Sequence, residues 1–88
     1  MKIFAERLRE LRKLHKINQS KLAEVLSINQ RQISYYENDT NEPSLESLIA
    51  LADYFSVSVD YLLGRTDDPK VHGRTLEITG RTQRIYKK

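Results

Sequence analysis

Three times in this chain an aliphatic residue stands directly before a helix-capping residue, with a second aliphatic further on. Ile17-Asn18 leads to Leu22, Ile28-Asn29 to Ile33, and Val57-Ser58 to Leu62. The Asn or Ser oxygen is placed to accept one of the orphan backbone N–H groups of a helix start. The two aliphatics then close a hydrophobic staple across that start. The first two copies share the letters "INQ" and lie eleven residues apart. That spacing leaves room for little more than two helical turns between them, so the chain must fold as short helices joined by tight turns.

The rest of the chain fits this frame. Phe4, Leu8, Leu11 and then Leu14 or His15 recur at helical spacing among charges, which predicts an amphipathic helix over 2–15. Leu22, Ala23, Val25 and Leu26 predict a short helix over about 19–26, and Ile33 and Tyr36 another over about 30–37. In the second of these, Gln32 completes an Asn-x-x-Gln capping box with Asn29. "NDTNEPS" reads as a loop, and Ser44 as the cap of a fourth helix over about 45–55, with Glu46 in its first turn. Its apolar positions are Leu45, Leu48, Ile49, Leu51, Ala52 and Phe55. A fifth helix starts at the Ser58 cap, has Asp60 in its first turn, and ends at Gly64 in a left-handed conformation.

After Gly64 the character changes. "GRT" occurs at 64, 73 and 80, and Leu76, Ile78, Ile85 and Tyr86 alternate with polar residues. One or two strands and a disordered basic tail are both open readings. The chain thus divides into a folded unit over 1–65 and a basic tail over 66–88.

Charge and composition narrow the function. Residues 1–17 carry six Lys/Arg against two Glu, residues 39–63 five acids and no Lys/Arg, and residues 64–88 seven Lys/Arg against three acids. Such a division either presents a basic face to a polyanion or simply solvates a small helical protein. The absence of cysteine excludes disulfides and thiolate zinc sites and fits a reducing compartment. The charged N-terminus does not read as a signal peptide, and no apolar run reaches the ~20 residues a membrane span needs. A cytoplasmic, nucleoid-associated protein without membrane contact is the expectation. His15 and His72 have no acidic ligand pattern around them, so a surface role is expected rather than metal binding. No carboxylate pair, Cys/His pair, glycine-rich phosphate loop or metal cluster suggests an enzyme, and no cofactor is implied.

The glutamines inside the two "INQ" phrases go beyond capping. Gln19 and Gln30 each open a helix, beside N–H groups and a dipole end suited to phosphate. With Ile33 and Tyr36 inward, the third helix presents Gln30, Arg31, Ser34 and Tyr35 outward. Glutamine can pair with the N6/N7 edge of adenine and arginine with the O6/N7 edge of guanine. The turn "SIN" joining the second and third helices makes a helix-turn-helix.

These stretches carry a resemblance. "LRELRK", "NQSKLAEVLSINQRQISYYEN" and "PSLESLIALADYFSVSVDYLLG" make residues 4–63 similar to the phage Cro/cI-type helix-turn-helix repressors, also called the xenobiotic-response-element family. The resemblance implies an all-α fold: a compact five-helix, lambda-repressor-like DNA-binding domain followed by the tail. It also implies a regulator of transcription, most simply a repressor, that binds double-stranded DNA as a homodimer on a near-palindromic operator. Gln30, Arg31, Ser34 and Tyr35 match base-facing positions. Gln19, Asn29 and Asn38 match positions at the DNA backbone, and Gln19 can also brace the next glutamine. Arg12 and Glu37 match a structural pair joining the first helix to the end of the third. Lys13 and Lys16 are weaker phosphate candidates. Dimerisation is expected around the fifth helix at Val57, Val59, Tyr61 and Leu62.

Two departures stand out. Ser27 replaces the usual turn glycine, at an expected cost of about 1 kcal/mol. Asp39 and Glu42 stand where relatives often place basic residues, so phosphate contacts from this loop are in question. The competing functional reading is an antitoxin or protein-interaction module whose tail binds a partner protein.

Overall fold

The computed structural model describes residues 2–71, and over that span the chain forms five helices. They are α1 (Lys2–Leu14), α2 (Gln19–Leu26), α3 (Gln30–Glu37), α4 (Leu45–Phe55) and α5 (Val59–Leu62). No strand occurs among the described residues. The strands expected around 76–86, and His72, lie outside them.

The helix starts follow the capping residues. Asn18, Asn29, Ser44 and Ser58 all have extended backbone, and each side chain accepts the N–H three residues on, from Lys21, Gln32, Ser47 and Tyr61 respectively. Among the described residues the Gln32 side chain makes no return bond to Asn29, so only the Asn half of the expected capping box is present.

The helix ends follow a second local rule. Lys16, Ser27 and Ser56 take left-handed backbone with φ near 58°, 58° and 57°. Behind them Ile17 N–H reaches the Arg12 carbonyl, Ile28 that of Ala23, and Val57 that of Ala52, at 3.2, 3.0 and 2.9 Å. This is the Schellman termination, and the residue it turns inward is the aliphatic of the next staple. Each joint therefore ends one helix and starts the next within three residues: Lys16-Ile17-Asn18, Ser27-Ile28-Asn29 and Ser56-Val57-Ser58.

The staples insert into one core. Phe4, Leu8 and Leu11 from α1 meet Leu22 and Ala23 of α2, Ile33 and Tyr36 of α3, Leu48, Leu51, Ala52 and Phe55 of α4, and Val57 and Leu62 around α5. Leu8, Leu22, Ile33, Leu51 and Leu62 have no exposed surface. Fully burying each of these stabilises the fold by roughly 1.5–3 kcal/mol. The Phe4 and Tyr36 rings meet edge-on at 6.0 Å and tie α1 to α3.

Some apolar positions lie elsewhere than periodicity suggests. Leu14 is 74% exposed, because the chain turns at Lys16 instead of extending the helix into the core. His15 lies past the helix end and rests edge-on against Phe55 at 5.0 Å. Leu45 and Ile49 are 71% and 46% exposed, since the core-facing stripe of α4 is Leu48, Leu51, Ala52 and Phe55. Val25 likewise faces outward.

The chain after α5 stays on the bundle for several residues. Arg7 of α1 donates to the carbonyls of Tyr61 and Thr66, pairs with Asp67 at 2.7 Å, and lies 4.1 Å over the Tyr61 ring. Ser58 N–H donates to the Pro69 carbonyl at 3.0 Å. Residues 66–69 are thus tied to the domain, past the boundary that composition suggests at 65.

Candidate nucleic-acid interface

α3 is amphipathic in an unusual sense. Its inner face is Ile33, Tyr36 and Glu37, all buried. Its outer face shows Gln30 and Arg31 exposed, with Ser34 and Tyr35 half-buried beside them. The only acid of α3 is the buried Glu37, so the outward face carries hydrogen-bonding groups and one cation, Arg31. Among the described residues the Arg31 side chain makes no hydrogen bond or ion pair, so its fork of donors is available.

Glu37 organises this region from below. Its carboxylate takes Arg12 Nε at 2.6 Å on one oxygen and Arg12 Nη2 at 3.1 Å on the other. The Glu37 side chain is 3% exposed and that of Arg12 15%. The paired arginine is held above its already high ordinary pKa, chiefly by the hydrogen bond to Glu37, which outweighs burial; Coulomb attraction adds to it. Arg12 also donates to the Ile17 carbonyl at 3.1 Å, and Arg9 donates to the Glu37 carbonyl at 2.9 Å. This pair thus joins α1, the first joint and the end of α3, as the family resemblance implies for Arg12 and Glu37.

From Glu37 a chain of hydrogen bonds runs outward to the exposed face. Gln19 Nε2 donates to Glu37 Oε1 at 3.1 Å. Gln30 Nε2 donates to Gln19 Oε1 at 3.3 Å, and Ser20 Oγ donates to Gln30 Oε1 at 2.9 Å. The two "INQ" glutamines are therefore in contact, the first bracing the second. Sequence reasoning missed Ser20, which reads as an ordinary solvated helix position; its link to Gln30 exists only across the α2–α3 packing. Arg9 was missed for the same reason.

The flanking candidates are placed as follows. Asn29 and Asn38 stand exposed at the two ends of α3. Asn38 donates to Ser34 Oγ at 3.3 Å, and the Thr40 N–H returns to the Tyr35 carbonyl at 2.9 Å. Lys13 and Lys16 are exposed near the end of α1. Ser27 takes the left-handed turn position where a glycine was expected. Asp39 and Glu42 are exposed in the loop after α3. Of the residues named for a dimer contact, Val57 is 6% exposed and Leu62 fully buried. Both are interior residues, so neither offers a surface. Val59 and Tyr61 are half-buried, and one face of the Tyr61 ring is covered by Arg7.

Among the described residues no group of His, Asp or Glu could hold a metal ion, and no helix is long and apolar enough to cross a membrane.

Comparison with known proteins agrees with this architecture. A family profile described as helix-turn-helix matches residues 8–62, from within α1 to the end of α5. The chain is 43% identical over 77 residues to an uncharacterized HTH-type transcriptional regulator, YobD, of Bacillus subtilis, covering 85% of this chain and 69% of the relative. It is 37% identical over 65 residues to the HTH-type transcriptional regulator ImmR of the same organism, covering 74% of this chain but only 51% of that protein. The chain thus spans from about half to just over two thirds of the length of these relatives. Among solved structures, the P22 c2 repressor protein in complex with synthetic operator 9T superposes with a TM-score of 0.65 at 37% identity, over 67% of this chain and 89% of that one. A transcriptional regulator from Listeria innocua gives 0.68 at 34% identity, over 86% of this chain and 68% of that one. With the profile spanning the helices that build the site, and relatives of this identity, the chain belongs to the Cro/cI-type helix-turn-helix family of transcriptional regulators.

Proposed function

We propose that this protein is a sequence-specific double-stranded DNA-binding regulator of transcription, acting as a repressor by occupying its operator. The observation that carries this reading is the outer face of α3: Gln30, Arg31, Ser34 and Tyr35 exposed or half-exposed without an acid among them, on a helix anchored through buried Glu37. These four residues read base edges in the major groove. Gln19, Asn29, Asn38 and Lys13 set the register through phosphates, a contribution that weakens as salt rises. The superposition on a repressor solved with a synthetic operator supports the same docking. Two copies place their α3 helices in successive major grooves about 34 Å apart on a near-palindromic site. Val59 and the free edge of Tyr61 are the residues of the α5 region through which we propose that the copies meet.

Selection of bound duplexes from a random DNA pool tests this reading. An enriched palindrome is the expected result, and a pool that stays random would overturn it. On the enriched site, Arg31→Ala should cost about 1–3 kcal/mol and relax the preference at one base pair. An equal loss on every sequence would remove Arg31 from the base-reading set.

A further inference from the structure

The chain of hydrogen bonds that ends on Gln30 has a direction. A glutamine amide can turn over about its last bond, exchanging a donor for an acceptor, and in water the two arrangements cost nearly the same. Here they do not. Both carboxylate oxygens of Glu37 accept from Arg12, so Glu37 meets its other partner as an acceptor. The end of Gln19 that faces it at 3.1 Å must therefore be the NH₂ group. This turns the carbonyl oxygen of Gln19 toward Gln30, which must answer with its own NH₂ group, at 3.3 Å. The remaining end of Gln30 is its oxygen, and there Ser20 Oγ stands at 2.9 Å as a donor. Reversing Gln30 would set its oxygen against that of Gln19 and lose that bond, while the Ser20 hydroxyl, which accepts as well as donates, would keep hold of the amide.

We propose that Ser20 is a specificity-determining positioning residue, which holds in place the Gln30 amide whose left-to-right order of donor and acceptor is fixed by the Glu37–Gln19 relay. The inference rests on the reading of Gln30 as a base-reading residue. Each end of the Gln30 amide keeps one capacity for DNA: a second N–H on Nε2 and a second lone pair on Oε1. A donor and an acceptor in fixed order match the adenine edge, which offers an acceptor at N7 and a donor at N6. Guanine offers two acceptors there, and so satisfies only the donor. The order also separates A·T from T·A, because exchanging the strands reverses the groups the amide must meet. An amide free to turn over would accept more arrangements than one that is held.

The test uses the full chain and a duplex enriched from a random pool. First, Gln30→Ala identifies the pair that Gln30 reads, as the position where preference is lost. Ser20→Ala and Ser20→Thr are then compared with the unmodified protein on duplexes carrying all four base pairs at that position. Ser20→Ala is expected to relax the preference there by about three- to tenfold, the worth of one hydrogen bond, with other positions and the salt dependence unchanged. Ser20→Thr keeps the hydroxyl and is expected to retain the preference. Ser20 is exposed, and thermal melting of both variants checks that the fold is intact. If Gln30→Ala relaxes a position and Ser20→Ala does not, the positioning role falls while base reading by Gln30 stands. If Gln30→Ala weakens all sequences equally, base reading by Gln30 falls and the positioning role with it.

Discussion

At Ser27 the backbone sits at φ 58° and ψ 40°, where a Cβ crowds the neighbouring carbonyl. Lys16 and Ser56 share that conformation, so three joints carry the same local strain. Ser27→Gly removes the Cβ and is expected to stabilise the domain by up to about 1 kcal/mol, offset in part by the greater freedom of glycine when unfolded. A rise in the urea midpoint at constant slope would show it; no rise would mean that the strain relieved does not exceed the added freedom of glycine. Glu37 is the opposite case. Glu37→Ala leaves the partly buried Arg12 charge without its partner and is expected to cost somewhat less in denaturant unfolding than the ~3–5 kcal/mol of a fully buried pair. Replacing both residues by methionine should cost less than either alanine variant, because no charge is then left behind. If the double variant is the least stable, the pair contributes more than mutual neutralisation.

At the scale of the element, the caps made the helices legible. Asn18, Asn29, Ser44 and Ser58 act on N–H groups three residues away, so their signal is local and survives without knowledge of the fold. The outward set on α3 came from pattern as well, whereas the Arg12–Glu37 pair came from the family resemblance alone. What did not come through depends on what lies opposite. Leu45 and Ile49 have the spacing of core residues, yet no element among the described residues covers them, and Leu14 falls where the chain turns away. Ser20 differs in no local respect from a solvated serine; its meaning is set by Gln30 on another helix. Gly64 was legible as a helix end but not as a contact. It holds φ 80°, and a Cβ there would come within 2.8 Å of the Ile3 side chain. Gly64→Ala should therefore destabilise by more than the ~1 kcal/mol of the backbone term alone, measured by thermal melting. A loss of only that term would mean that Ile3, itself 47% exposed, simply moves aside.

For the whole molecule, the Arg7 clamp holds the residues just after α5 against the bundle. A chain stopped at Arg65 loses the bonds to Thr66, Asp67 and Pro69, whereas one stopped at Val71 keeps them. The shorter chain is expected to melt lower than the longer one, and equal melting temperatures would show that the clamp adds nothing to stability. Comparing the Val71 chain with the full protein by gel filtration then asks what the last residues add to assembly, with the domain intact in both. The three compact joints have a consequence for how such a chain can change its length. At Lys16-Ile17-Asn18, Ser27-Ile28-Asn29 and Ser56-Val57-Ser58 every residue serves a helix end or a helix start, so one inserted residue separates the aliphatic from its cap. The stretch 38–42 is exposed and free of that double duty. Insertions and deletions, in the laboratory or over descent, should therefore collect there and spare the three joints.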